Sequence, residues 1–145
     1  MTPTCRSFLI LLLAASSASA ADQLSNPLVA EGAKVETIAT GFTFAEGPAR
    51  AANGDLYFVD FRVNKVHRWD VAAKKLSTIT EDSHGTNGMQ FDSAGRLLGC
   101  QGNQRRVIAF DSKSGEVLEV LADNFGGKRF NNPNDLWIDP KGGVY

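Results

Sequence analysis

Gly54-Asp55-Leu56-Tyr57, Gly95-Arg96-Leu97-Leu98 and Gly142-Gly143-Val144-Tyr145 open alike, with a turn glycine followed by the start of a short apolar run. The step between them is 41 and then 47 residues. The ends of the next runs keep the same step, since Arg68-Trp69-Asp70 and Ala109-Phe110-Asp111 are 41 residues apart at the Asp. Between these anchors lie candidate strands at Asp55–Phe61, Val66–Asp70, Leu76–Thr80, Gly88–Phe91, Arg96–Gln101, Val107–Phe110 and Val117–Leu121. Val35–Ala39 precedes them, and Leu136–Ile138 and a run from Gly143 follow. Most are rich in Val, Ile, Leu, Phe or Tyr and are bounded by Gly, Asn and Asp. No stretch after residue 35 sustains a helical period.

The chain is therefore expected to be all-β. Four short strands per period of roughly 40–50 residues is the pattern of a propeller blade. An immunoglobulin-like sandwich also has many short strands but has no reason to repeat at this interval. About two blades and the start of a third fit between residues 35 and 145.

Residues 1–20 read as a signal peptide: Arg6, then the apolar Phe8 to Ala15, then Ala18-Ser19-Ala20 as a small-residue cleavage site. The apolar run is much shorter than the roughly 20 residues that span a bilayer, so no membrane association is expected after cleavage. The product is expected to be secreted or periplasmic, with a polar arm over residues 21–34 ahead of the propeller segment 35–145. Cleavage removes Arg6 and no acid, leaving 14 Lys and Arg against 16 Asp and Glu. No basic face or charge block appears, which argues against nucleic acid as a partner; Arg105-Arg106 stands alone. Cys100 is then the one remaining cysteine, so stability must come from packing and not from an intrachain disulfide. Nothing in the sequence bears on oligomeric state.

Chemistry enters when equivalent positions are compared. Eight residues before each turn glycine stand Glu46, Asn87 and Asn134, each opening the first strand of its unit. In a propeller the first strands line the central channel, so these side chains should form a ring. One carboxylate and two amide oxygens suit a hard cation such as Ca²⁺ or Mg²⁺. Each residue also has a plain reading. Asn87-Gly88 is a common turn pair, Glu46 before Gly-Pro could be a solvated loop acid, and Asn134-Asp135 after Pro133 could open a strand. Their shared register favours the ring.

Phe44-Ala-Glu-Gly-Pro48, Asp55-Leu-Tyr-Phe-Val-Asp60 leading to Lys65-Val-His-Arg-Trp-Asp70, Gly88-Met-Gln-Phe-Asp92 and Gly102-Asn-Gln-Arg-Arg106 together resemble the SMP-30, gluconolactonase and regucalcin family. The most specific segment is Arg129-Phe-Asn-Asn-Pro-Asn-Asp135, which is similar to an Arg-Phe-Asn-x-Pro-Asn-Asp motif of bacterial gluconolactonases. The resemblance covers about Val35 to Tyr145. It implies a six-bladed propeller with one divalent cation in its channel, Ca²⁺ first, with Zn²⁺, Mg²⁺ or Mn²⁺ as alternatives. It implies hydrolysis of a small sugar lactone or related lactone. By the same resemblance Glu46 and Asn134 match metal-ligand positions, and Asn87, Arg129 and Asn132 are assigned to substrate contact. The family's catalytic Asp and remaining metal-binding Asn lie in later blades, so no catalytic base is assigned and the chain is expected to be an inactive, unstable fragment. A phosphotriesterase-like or paraoxonase-like activity, or a binding module with a structural cation, are the rival readings.

Other polar and aromatic residues carry less. His84 is expected in a solvated loop and His67 in a structural position within a strand. Cys100 is expected buried and inert, Trp69 and Trp137 packed between blades, and Asp135 turned away from the channel by strand alternation.

Overall fold

A computed structural model describes residues 28–30 and 32–145; the signal segment and most of the polar arm lie outside the described residues. The compact unit carrying the strands begins at Thr37.

Two four-stranded antiparallel meanders make up most of that unit. Blade 1 is β1 (Ala45–Arg50), β2 (Leu56–Asp60), β3 (Lys65–Asp70) and β4 (Lys75–Thr80), in that spatial order. Blade 2 repeats it with β5 (Thr86–Phe91), β6 (Leu97–Gln101), β7 (Arg106–Phe110) and β8 (Val117–Ala122). Sequential meanders packed face to face are the blades of a β-propeller, as the repeat requires. The register itself repeats at 41 residues. Leu56 pairs with Trp69 and Leu97 with Phe110; Asp60 pairs with Lys65 and Gln101 with Arg106.

The anchor glycines explain why the step is legible. Gly54, Gly95 and Gly142 all have positive φ, at 94°, 79° and 88°. Each donates its N–H to the carbonyl three residues earlier, on Ala51, Asp92 and Asp139. A residue in the left-handed conformation closing a type I turn is the usual three-residue hairpin connection, and glycine takes that conformation without cost from a Cβ. In the last two turns the Asp side chain also accepts N–H groups within the loop, for example Arg96 N–H to Asp92 Oδ1 at 2.8 Å and Gly143 N–H to Asp139 Oδ1 at 2.8 Å.

The core lies between the blades. Tyr57, Val59 and Val66 of blade 1 meet Met89, Leu97, Ile108 and Phe110 of blade 2. Tyr57 also contacts Phe91 edge to face, with ring centroids 5.2 Å apart. Burial of this strip is the main attractive term holding the two sheets together.

Several expectations are corrected. Val35–Ala39 is not a strand; it pairs with no described strand. The first strand is Ala45–Arg50 instead. Leu136–Ile138 and the run from Gly143 do not form strands either. They meet in a single bridge, Ile138 opposite Val144, framed by reciprocal hydrogen bonds of 2.9 Å between Trp137 and Tyr145. Trp137 is 57% exposed and lies against Tyr145. Trp69 shares a face of β3 with His67, opposite the strip that meets blade 2. The segment between blade 2 and this bridge holds a two-stranded ribbon, β9 (Asn124–Phe125) and β10 (Lys128–Arg129), turned through Gly126-Gly127.

Candidate functional site

The first strand of each blade carries a one-residue bulge at the same place. In β1 the register slips between Glu46 and Ala49, and in β5 between Thr86 and Met89. A bulge re-aims the side chains beside it, and these bulges contain Glu46-Gly47-Pro48 and Asn87-Gly88.

The glycines in the bulges are required by close approach. A Cβ on Gly47, whose φ is 58°, would collide with the backbone carbonyl of Asn87. One on Gly88 would collide with Asp135. Each successive unit thus presses its entry backbone against the glycine of the one before. Gly88 N–H donates to the Asn134 carbonyl at 2.7 Å, and Ile138 N–H donates to Gln90 Oε1 at 3.0 Å, fastening residues 134–138 to β5. Asn87-Gly88 is therefore a packed junction as well as a turn-prone pair.

The result is a cleft of about 600 Å³ bordered by Glu46, Asn87 and Asn134, with Pro48, Gln90 and Asp135 among its other walls. Asn87 is 9% exposed, Glu46 is half-buried and Asn134 is exposed. None of these three side chains is engaged in a hydrogen bond or ion pair with another described residue. Among the described residues no three His, Cys, Asp or Glu side chains cluster as a metal site. The donors gathered here are one carboxylate and two amides, a set that fits a hard cation and not a soft one. Asp135 borders this cleft despite the alternation argument, because residues 134–136 form no strand; its Oδ1 accepts the Leu136 N–H at 2.9 Å.

Arg129 and Asn132 lie elsewhere on the rim. The Arg129 guanidinium donates to the Gln104 carbonyl at 2.8 Å, and the Asn132 side chain lies against Gly102. Arg105 reinforces this seam by donating to the Asn131 carbonyl at 3.0 Å. Asn132 borders a second, more apolar cleft of about 720 Å³ with Leu98, Cys100 and Val107. The Cys100 thiol is buried there, and burial first, with the Asp135 charge second, pushes its pKa up to about 11. His84 is half-buried, with Nδ1 3.3 Å from Asp82 Oδ1. His67 is buried against Phe42 and Phe58, and desolvation holds its pKa below the ordinary value.

Sequence reasoning passed over two residues near the entry strands. Asp60, at the end of β2, accepts the N–H groups of Thr43 and Phe44, each at 2.8 Å. Gln101, at the end of β6, donates to the Ser83 carbonyl at 3.1 Å. The only signal for them is that they stand 41 residues apart.

Residues 44–145 match the family model for the SMP-30/gluconolactonase/LRE-like region. A gluconolactonase of Zymomonas mobilis is 30% identical over 77% of this chain and 35% of its own length. Among solved structures, a gluconolactonase from Xanthomonas campestris is 28% identical, with a TM-score of 0.68 over 74% of this chain and 36% of that one. A structural-genomics target assigned as a gluconolactonase is 34% identical, with a TM-score of 0.73 over 79% of this chain and 39% of that one. Virginiamycin B lyase from Staphylococcus aureus, at 14% identity and a TM-score of 0.54, shares the fold alone. The chain thus spans a little over a third of the length of the relatives it matches.

Proposed function

This chain belongs to the SMP-30/gluconolactonase/LRE-like family, and on that premise we propose that its Glu46 cleft belongs to a divalent-cation-dependent hydrolase of sugar lactones or related lactones. The observation that carries the reading is the convergence of three uncommitted oxygen donors, Glu46, Asn87 and Asn134, on one cleft. Glu46 and Asn134 would hold the cation, with Ca²⁺ preferred over Zn²⁺, Mg²⁺ or Mn²⁺. Such a cation, with its charge little offset by neutral amides, would supply Lewis-acid polarisation of a lactone carbonyl.

The remaining roles fall to the chain's own groups. Glu46 supplies the one formal charge among the three donors, which makes it the main source of cation affinity. A half-buried carboxylate without a protein partner is costly unless a cation accompanies it. Asn87, walled in by Gly47 and Gly88, presents an amide whose place is set by backbone packing; it would face the cation as a third oxygen donor and contact a hydroxyl-rich substrate bound there. Arg129 and Asn132 would meet the substrate from the rim. A general base must lie within hydrogen-bond reach of the attacking water, and no group bordering the cleft is assigned that role. We therefore propose that this chain by itself binds the cation without turning lactone over. Its location is proposed to be periplasmic or secreted, following the signal-peptide pattern of residues 1–20.

Calorimetric titration of the full chain with CaCl₂ tests the assignment. Ca²⁺ should bind, and Glu46→Gln should weaken binding at least tenfold, in keeping with loss of the formal charge among the donors. Equal affinity in the two proteins would sink it. Turnover of a lactone by this chain, with or without EDTA, would contradict the proposal that it binds the cation without hydrolysing.

A further inference from the structure

In both blades the cleft residue stands near the start of the first strand, just after a loop, and that loop is gripped by the last residue of the blade's second strand. In blade 1 that residue is Asp60, 3% exposed and paired in the sheet with Ala45. Its carboxylate takes one N–H on each oxygen, Thr43 on Oδ2 and Phe44 on Oδ1, two residues ahead of Glu46. The Phe61 N–H closes the same junction by donating to the Phe44 carbonyl at 2.9 Å. In blade 2 the equivalent residue is Gln101, also 3% exposed and paired with Thr86. Its amide donates to the Ser83 carbonyl, which also accepts the Thr86 hydroxyl at 2.7 Å, just ahead of Asn87.

A basic residue stands opposite each of these groups. Lys65 pairs with Asp60 in the sheet, and Arg106 pairs with Gln101 while donating to its Oε1 at 2.8 Å. The two clamps use opposite chemistry, an acceptor in one blade and a donor in the other. Their position in the sheet and the loop they hold are the same. Buried polar side chains are retained at a desolvation cost that only well-made hydrogen bonds offset, so this repeated arrangement calls for a cause beyond strand pairing.

We propose that Asp60 and Gln101 are positioning residues of the cation cleft, each locking the entry loop of its blade so that Glu46 and Asn87 are presented to a common centre. Neither touches the cation. Groups that orient metal ligands without binding the metal typically change affinity by about 10–100-fold when replaced. The inference rests on the cation reading above.

Full-length chains carrying Asp60→Asn, Gln101→Met, Val66→Ala and Glu46→Gln would be titrated with CaCl₂ beside the unsubstituted protein. Asp60→Asn turns amide hydrogens toward backbone N–H groups and should weaken Ca²⁺ binding about 10–100-fold. Gln101→Met, which keeps the shape and loses both bonds, should weaken it by about tenfold. Val66→Ala removes core contacts and leaves both clamps intact; it should lower the melting temperature with affinity unchanged. A second readout is amide hydrogen exchange. The Thr43 and Phe44 amides should be protected in the unsubstituted chain and exchange at least tenfold faster in Asp60→Asn, or, should that variant not fold, be slowed further by Ca²⁺ in the unsubstituted chain. Unchanged affinity in Asp60→Asn and Gln101→Met, or an equal loss in Val66→Ala, would overturn the positioning role. Unchanged affinity in Glu46→Gln would remove the cation reading, and this inference with it.

Discussion

Blade 1 and blade 2 pair their strands in the same register, bulge at the same place and turn through the same backbone conformations. Asn64 and Arg105 are both left-handed, with φ of 56° and 58°, and Lys74 takes the left-handed position that Gly115 takes 41 residues later. Turn and core positions keep their residue type, as at Leu56 and Leu97 or Asp70 and Asp111, while others change: Glu46 against Asn87, Asp60 against Gln101, His67 against Ile108. Backbone geometry in this fold belongs to the position, and chemistry is free to vary upon it. Where the position is a cleft wall, that freedom lets a single carboxylate be combined with amides around one centre. The faces differ as well. Ile108 and its neighbours on blade 2 are covered by blade 1, while the same face of blade 1 carries Phe58 and the titratable His67, with Phe42 packed on them.

The largest expected effect breaks the junction between the blades. Gly47→Ala combines left-handed strain with a collision against the Asn87 backbone and should cost about 3 kcal/mol of stability in chemical denaturation. Gly95→Ala has the strain alone, since nothing lies near its added methyl, and should cost about 1 kcal/mol. Equal costs would mean that the blades do not meet backbone to backbone at the cleft.

A smaller effect sharpens the contrast between the two equivalent faces. Burial lowers the His67 pKa below the ordinary imidazole value of about 6.5, so the unfolded chain binds the proton more readily than the folded one. The neutral imidazole's contribution is complete above pH 6.5 and declines as pH falls through the lowered folded value. The melting temperature should therefore drop between pH 7.5 and 5.5, and His67→Phe should flatten that drop. An unchanged pH profile in the variant would show that another group titrates in this window.

The blades were legible because their turns are spelled in glycine and aspartate, whose φ and side-chain bonding allow few alternatives. Gly54, Gly95 and Gly142 announce three turns of the same backbone conformation at a glance. Val35–Ala39 carries the β-branched run of a strand, yet it pairs with none of the described strands. β1 is the reverse case: Gly47-Pro48 within it reads as loop, and only the register with Asn87 and Asn134 places it in the sheet. Glu46, Asn87 and Asn134 were found together by that register. The clamps were not, because Asp60 and Gln101 bind main-chain groups of Thr43, Phe44 and Ser83, and any residue type could have supplied those. Asp135 escaped the alternation rule because residues 134–138 are held by Gly88 at Asn134 and by Gln90 at Ile138, and not by strand pairing.

The central claim is that Glu46, Asn87 and Asn134 surround one cation. Crystals of the full chain grown with MnCl₂ and measured at the manganese absorption edge test it most directly. The account predicts one strong anomalous peak within about 2.6 Å of the Glu46 carboxylate and an amide oxygen of Asn134. A map with no peak in that cleft, or with its strongest peak on other residues, would contradict it.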